Sequence, residues 1–292
     1  MIKTKRNDKR SLLMILISMV IWGSVGIFRR FIPVSSSILA CSRGIIGTLF
    51  LILFVKLRNR KLFLPLSARQ VILLVISGAV MGVNWILLFE AYNYTSVPTA
   101  TLCYYMAPTI VVLLSPFLFR EKITLRKGIC VLAALIGMVF VSGVVENGMP
   151  GLSELKGILF GLGAAVLYAS VVIINKKLPG IDAYEKTVIQ LGSSAITLLP
   201  YLFLTGERFP ADLSPVNWGM LLIVGLVHTG VAYAMYFGSV DGLKAQTVAL
   251  LSYVDPITAL ILSALILHEQ LTVYGILGAV LIIGAAVVSE TE

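Results

Sequence analysis

A chain that carries a degenerate second copy of itself, in apolar sequence, has few folds open to it. Residues 99–124 read TATLCYYMAPTIVVLLSPFLFREKIT, and residues 247–272 read TVALLSYVDPITALILSALILHEQLT. Thr99/Thr247, Leu102/Leu250, Tyr105/Tyr253, Pro108/Pro256, Ser115/Ser263, Glu121/Glu269 and Thr124/Thr272 keep one spacing without a gap. Elsewhere the likeness is weaker but in order. Trp22-Gly23-Ser24 corresponds to Tyr168-Ala169-Ser170, Pro33 to Pro179, Arg43 to Gln190, and Gly82-Val83-Asn84-Trp85 to Gly230-Val231-Ala232-Tyr233. Past Thr124 the spacing shortens by one, which aligns Gly128 with Gly275 and Gly137 with Gly284.

The solvent for this fold is lipid. Hydrophobic residues make up 58% of the chain and charged residues 13%, against roughly 45–50% and 25% in soluble domains. Crossing ~30 Å of hydrocarbon takes about 20 apolar residues as a helix. Apolar runs bounded by charge or turn residues predict helices over 11–31, 35–56, 70–92, 98–119, 125–145, 155–175, 186–204, 217–238, 245–267 and 272–289. The expected fold class is therefore an all-α integral membrane protein of ten transmembrane helices, one membrane domain with no soluble domain. The basic-then-apolar start lacks a small-x-small cleavage site and reads as an uncleaved first helix.

Five helices per copy is an odd number, so the second copy, 150–292, enters the membrane upside down relative to the first, 1–149. Inverted repeats of this kind build secondary transporters. With the N-terminus placed in the cytoplasm, nearly every Lys and Arg outside the spans falls on the inner side. Only Arg29, Arg30, Lys156 and Arg208 fall outside. The asymmetry supports both the helix count and cytoplasmic termini, since cytoplasmic loops carry the excess of basic residues. It also explains the basic balance without nucleic acid. Cys41, Cys103 and Cys130 lie in or beside apolar segments with no metal-ligand or paired spacing, and read as small core residues.

On these residues the chain resembles the EamA-type members of the drug/metabolite transporter superfamily. The likeness rests on WGSVGIF near the start, on APTIVVLLSPFLFREKIT and DPITALILSALILHEQLT, and on the Gly-rich helix after each. It implies a multi-pass protein of the bacterial inner membrane, without cofactor or metal, acting on a small-molecule solute by alternating access. It also implies export of an amino acid or similar metabolite as the leading activity, and a state of monomer or homodimer. In this family helices 1, 4, 6 and 9 surround the central cavity, which nominates Trp22, Tyr104, Tyr168 and Tyr253 as lining residues.

Ionisable groups inside the bilayer cost at least ~2.5–3.5 kcal/mol each on insertion scales and so need a reason. Asp255, about 15 Å into its helix by rise per residue, is near the midplane. It precedes Pro256, whose missing N–H frees a carbonyl one turn back. A proton site, a cationic-substrate site and a protonated carboxyl hydrogen-bonded between helices are all open to it; its repeat mate is Ala107. His228 has similar depth and is expected within reach of Asp255, as a proton relay or as a neutral structural histidine. Arg43 and Glu90 are expected to pair across helices, as a structural ion pair, an outer gate or a site for a substrate carboxylate. Glu121 and Glu269 close their helices beside Arg120 and His268, and fit caps or interfacial pairs. Aromatic faces hold rings or organic cations, so Trp85, Tyr233 and the polar Asn84 join the candidate substrate site.

An organic-cation carrier is the rival transport reading, motivated by the aromatics and Asp255. A membrane module that binds lipid or a partner is the rival of another class. The chain has no Walker A, HExxH or GxSxG sequence, which argues against a nucleotide-driven pump and against an enzyme.

Overall fold

The computed structural model describes residues 2–59, 62, 65–119, 124–240, 243 and 245–290. Among the described residues the chain is helix and turn with no strand. Each of the ten apolar stretches expected from the sequence lies on helix. Seven are long and apolar enough to cross a membrane unaided: Lys9–Phe31, Ser36–Leu57, Ala68–Tyr94, Val97–Leu118, Leu152–Lys176, Ala183–Thr205 and Pro215–Ser239. Val254–Leu267 and Val273–Val288 are shorter apolar helices, and Leu125–Val141 completes the first half.

Polar residues start these helices by satisfying the first free N–H groups. Ser35 accepts from the Ile38 amide, Ser96 from Thr99, Thr124 from Lys127 and Ser214 from Asn217. Ser67 and Gln70 form a reciprocal capping box. Asp182 accepts from the amides of Tyr184 and Glu185. Outward faces are apolar: Phe117, Leu125, Phe203 and Leu204 are all more than four-fifths exposed, an arrangement suited to lipid and not to water.

Packing follows the repeat. Ser36–Leu57 lies on its own repeat mate, Ala183–Thr205, and Leu125–Val141 lies on its mate, Val273–Glu290. The helix Ala68–Tyr94 packs on Leu152–Lys176, and the related pair, Ala232–Val240 against Ile2–Gly23, packs likewise. Each contact thus has a counterpart with the two halves exchanged, as a pseudo-two-fold axis requires. At the Leu125–Val141 crossing a Cβ on Gly137 would lie 2.8 Å from the Gly278 carbonyl oxygen, and one on Gly278 would lie 2.6 Å from that of Gly137. Only glycine allows the two backbones to approach so closely.

Among the described residues, the first, fourth, eighth and ninth helices are interrupted within their spans. The first breaks at Ser24, between Ile2–Gly23 and Val25–Phe31. The fourth breaks between Val97–Tyr104 and Ala107–Phe119, and the ninth at Tyr253, between Ala245–Ser252 and Val254–Leu262. These last two breaks fall at repeat-equivalent tyrosines, each three residues before a proline, because Pro108 and Pro256 cannot donate to the carbonyl four residues back. The eighth changes to a π-helix over Val224–Val231, a wide turn not anticipated from the sequence and one frequent at functional sites.

Two clasps close the face at the end of the first helix. Arg30 pairs with Glu269 at 3.1 Å and donates to the Thr95 carbonyl at 2.8 Å. Glu269 also accepts from the Val97 amide at 3.0 Å and the Ser263 hydroxyl at 2.6 Å, matching its expected role as a cap and interfacial partner. Glu121, its repeat mate, lies outside the described residues, as do Arg120 and Lys244. Glu207 accepts from the hydroxyls of both Ser35 and Ser37.

Candidate functional site

The interruptions gather the polar side chains of the interior. Arg43, on Ser36–Leu57, is 5% exposed. Its guanidinium carbon lies 4.0 Å from the centroid of the Trp85 ring and 5.5 Å from that of Phe89. Its Nε donates to the Thr229 hydroxyl at 3.1 Å, and that hydroxyl donates to the Val224 carbonyl at 3.1 Å. The π turn therefore supplies the residue that orients the arginine. Trp85, Phe89 and Tyr92 recur at helical spacing and form one face of the Ala68–Tyr94 helix, so Arg43 lies along an aromatic stripe.

Glu90 is not the partner of Arg43. It accepts from Asn93 of its own helix at 3.3 Å and lies within electrostatic reach of Arg29. Five residues beyond Trp85 turns Glu90 about 140° around the axis, off the face of Trp85, Phe89 and Tyr92 that Arg43 lies along. Arg29, 6% exposed, donates to the Ile32 carbonyl at 2.9 Å and to Ser36 at 3.3 Å.

Asp255 sits just after the Tyr253 break, within electrostatic reach of the hydroxyls of Tyr92, Tyr104, Tyr105 and Tyr168. Tyr105 is its immediate polar neighbour. The same hydroxyl reaches the Ser252 carbonyl at 3.4 Å, the one that Pro256 leaves without its helical donor. A Cβ on Gly23 would collide with the Asp255 carbonyl oxygen and lie 2.7 Å from Thr258, so the first helix touches the ninth at the break.

His228 does not meet Asp255. It is 2% exposed, hydrogen-bonded through Nε2 to Ser24 at 2.9 Å, and its Nδ1 lies 3.4 Å from the Ile223 carbonyl. Phe28 packs edge-on against it at 4.7 Å. The π turn aims the imidazole at the break in the first helix instead of at the ninth.

The remaining candidates divide. Tyr104 and Tyr168 lie 5.2 Å apart between ring centroids, and Tyr105 and Tyr253 6.3 Å apart. Trp22 donates to the His228 carbonyl at 2.8 Å and packs 5.1 Å from Tyr233 and 5.2 Å from Tyr236. Asn84, 1% exposed, is a tie between helices: Nδ2 donates to the Ala164 carbonyl at 2.5 Å, while Oδ1 is buried without a partner. Arg43 and Asp255 are joined to each other by no ion pair. Tyr92 and Tyr104 lie within electrostatic reach of both, so the same two phenols neighbour a cation and a carboxyl.

Sequence reading passed over Thr229, Tyr92 and Ser24. Tyr92 carried a signal, its place seven residues after Trp85 on one helical face; Thr229 and Ser24 carried none beyond adjacency to His228 and Gly23. A separate cavity of about 460 Å³ lies at the clasped face, lined by residues that include Arg30, Tyr94, Ser96, Glu154 and Glu269. None of the expected central residues borders it.

The profile of the EamA-like transporter family matches this chain twice, over residues 9–143 and 155–291. The chain is 30% identical over 281 residues to Uncharacterized transporter YxxF of Bacillus subtilis (strain 168), covering 96% of this chain and 89% of that protein. It is 24% identical to Uncharacterized inner membrane transporter YicL of Salmonella typhimurium, covering 98% and 97%. A solved crystal structure with 19% identity shares the fold at a TM-score of 0.68, over 96% of this chain and 98% of the other. Matched along both halves, the chain belongs to the EamA-like transporter family, a family of membrane transporters and not of enzymes.

Proposed function

We propose that the chain is a secondary transporter that exports amino acids or similar small metabolites by alternating access. In this reading its two inverted repeats, 1–149 and 150–292, cross the bacterial inner membrane ten times with both termini in the cytoplasm. The observation that carries it is the pairing of matched helix breaks with unmatched charge. Tyr105 and Tyr253 break their helices at equivalent points, and beside them Asp255 stands where the first repeat has Ala107. Broken helices at the meeting of inverted repeats are where transporters place substrate and coupling ions. Asp255, among phenols and near the midplane, is the proton-coupling group. His228 supports the site through Ser24 and does not relay the proton directly.

Purified protein in liposomes, loaded with a broad panel of amino acids and small metabolites, tests this. Efflux above that of empty liposomes, steepened by a pH gradient and made insensitive to it by Asp255→Asn, is the expected result. No flux above empty liposomes for any solute would sink the transport reading. The organic-cation reading draws on the same tyrosines and the same carboxyl, and the state of Arg43 separates the two.

A further inference from the structure

Arg43 is a nearly fully buried cation with four of its five N–H donors idle among the described residues. A guanidinium has five N–H groups and no acceptor. Nε is committed to Thr229 at 3.1 Å, and the flat face of the group covers Trp85 at 4.0 Å. Among the described residues the two terminal nitrogens have no acceptor, and they are not sealed into the packing as Nε of Arg29 is. A guanidinium stacked on a ring by its face leaves its in-plane N–H edge pointing away. That edge is a two-pronged donor without a carboxylate beside it.

The repeat mate shows that this is not a demand of the scaffold. Gln190, equally buried at 5% exposure, spends its amide hydrogens on Ser77 at 2.7 Å and Asn175 at 2.9 Å. A neutral side chain with both amide hydrogens engaged serves packing there. An unpaired charge in the same place is costly unless something brings it an anion.

On the basis of the transport reading above, we propose that Arg43 is the carboxylate-binding residue of the substrate site, and that solutes must carry a free carboxylate to be bound. The planar fork fits a carboxylate through two parallel N–H···O bonds. Tyr92 and Tyr104 each lie within electrostatic reach of both Arg43 and Asp255, so a molecule against those phenols is within reach of a cation and of a carboxyl. A zwitterion, with its ammonium toward Asp255, satisfies both ends. A quaternary amine without an acid group leaves Arg43 unpaired.

Thermal stabilisation of the full-length detergent-purified protein, together with liposome flux, tests the assignment. The probes are L-leucine, L-phenylalanine and L-threonine, the amide of each, choline, sodium chloride and sodium phosphate. At least one free amino acid is expected to raise the unfolding temperature, and its amide to bind roughly ten- to a hundredfold more weakly, the loss of a charge-assisted pair. Arg43→Gln, which copies the side chain of the other repeat, is expected to abolish this preference. Arg43→Lys, keeping the charge but not the fork, is expected to bind with intermediate strength. Four outcomes overturn the assignment: stabilisation by choline or an amide in place of the acids, equal binding of acids by Arg43→Gln, response to chloride or phosphate alone, and no binding of any acid. Choline flux untouched by Arg43→Gln would remove the carboxylate site while leaving transport standing. Absence of all flux would remove both.

Discussion

The Tyr105 hydroxyl crosses from the first repeat to the Ser252 carbonyl of the second, 3.4 Å away. That carbonyl lacks its helical donor because residue 256 is proline. If the bond replaces the missing one, Tyr105→Phe alone costs about 1 kcal/mol. With Pro256→Ala, which restores an N–H at that position, the same change costs less, because only the Tyr105 contact with Asp255 is then lost. A double-mutant cycle on thermal unfolding in detergent reads the difference, and equal costs in both backgrounds would sink the interpretation.

The contact of Gly137 with Gly278 leaves no room for a side chain. Gly137→Val is expected to destabilise by about 1–3 kcal/mol or more, as overpacking does. Gly128→Ala, at a position with nothing within 4 Å, is the control and should be neutral or slightly stabilising through helix propensity. Chemical denaturation of the two variants side by side tests the contrast.

Glu269 has two roles of unequal worth. Its partner Arg30 is 32% exposed and Glu269 itself 19%, so the ion pair contributes at most about 1 kcal/mol. Glu269→Gln, which keeps an acceptor for the Val97 amide, should change stability little. Glu269→Ala leaves that N–H unmet at a residue that is 0% exposed, and should cost about 1–3 kcal/mol. Similar losses for both variants would show that the charge, and not the cap, matters.

His228 is wired to Ser24 and Phe28, not to Asp255. His228→Ala should lower stability by about 1–3 kcal/mol, through the lost packing and polar bond, yet leave efflux responsive to a pH gradient. A stable His228 variant that has lost the gradient response would return the imidazole to the proton path.

What could be read in advance was depth and kind, not rotation. Pro256 was expected to free a carbonyl one turn back, and the ninth helix does break at Tyr253, whereas Pro116 and Pro200 sit inside unbroken helices. Arg43 and His228 were correctly recognised as buried, but their partners were misassigned. For Arg43, the expectation of an ion pair overlooked the ring at its own level, Trp85. For His228, a regular helix was assumed where the chain takes a π turn, and a wider turn rotates every later side chain about the axis. The clasp of Glu207 on Ser35 and Ser37 joins residues far apart in the chain, and no local pattern marks it.

The crossing of matched helices and the paired breaks at Tyr105 and Tyr253 give the two halves one framework. Among the places where the halves differ are the side chains at 43 and 190 and at 107 and 255. In the reading proposed above, a solute with a head and a tail meets Arg43 and Asp255 in a fixed order, so its orientation within the protein would depend on two side chains that the repeat does not share.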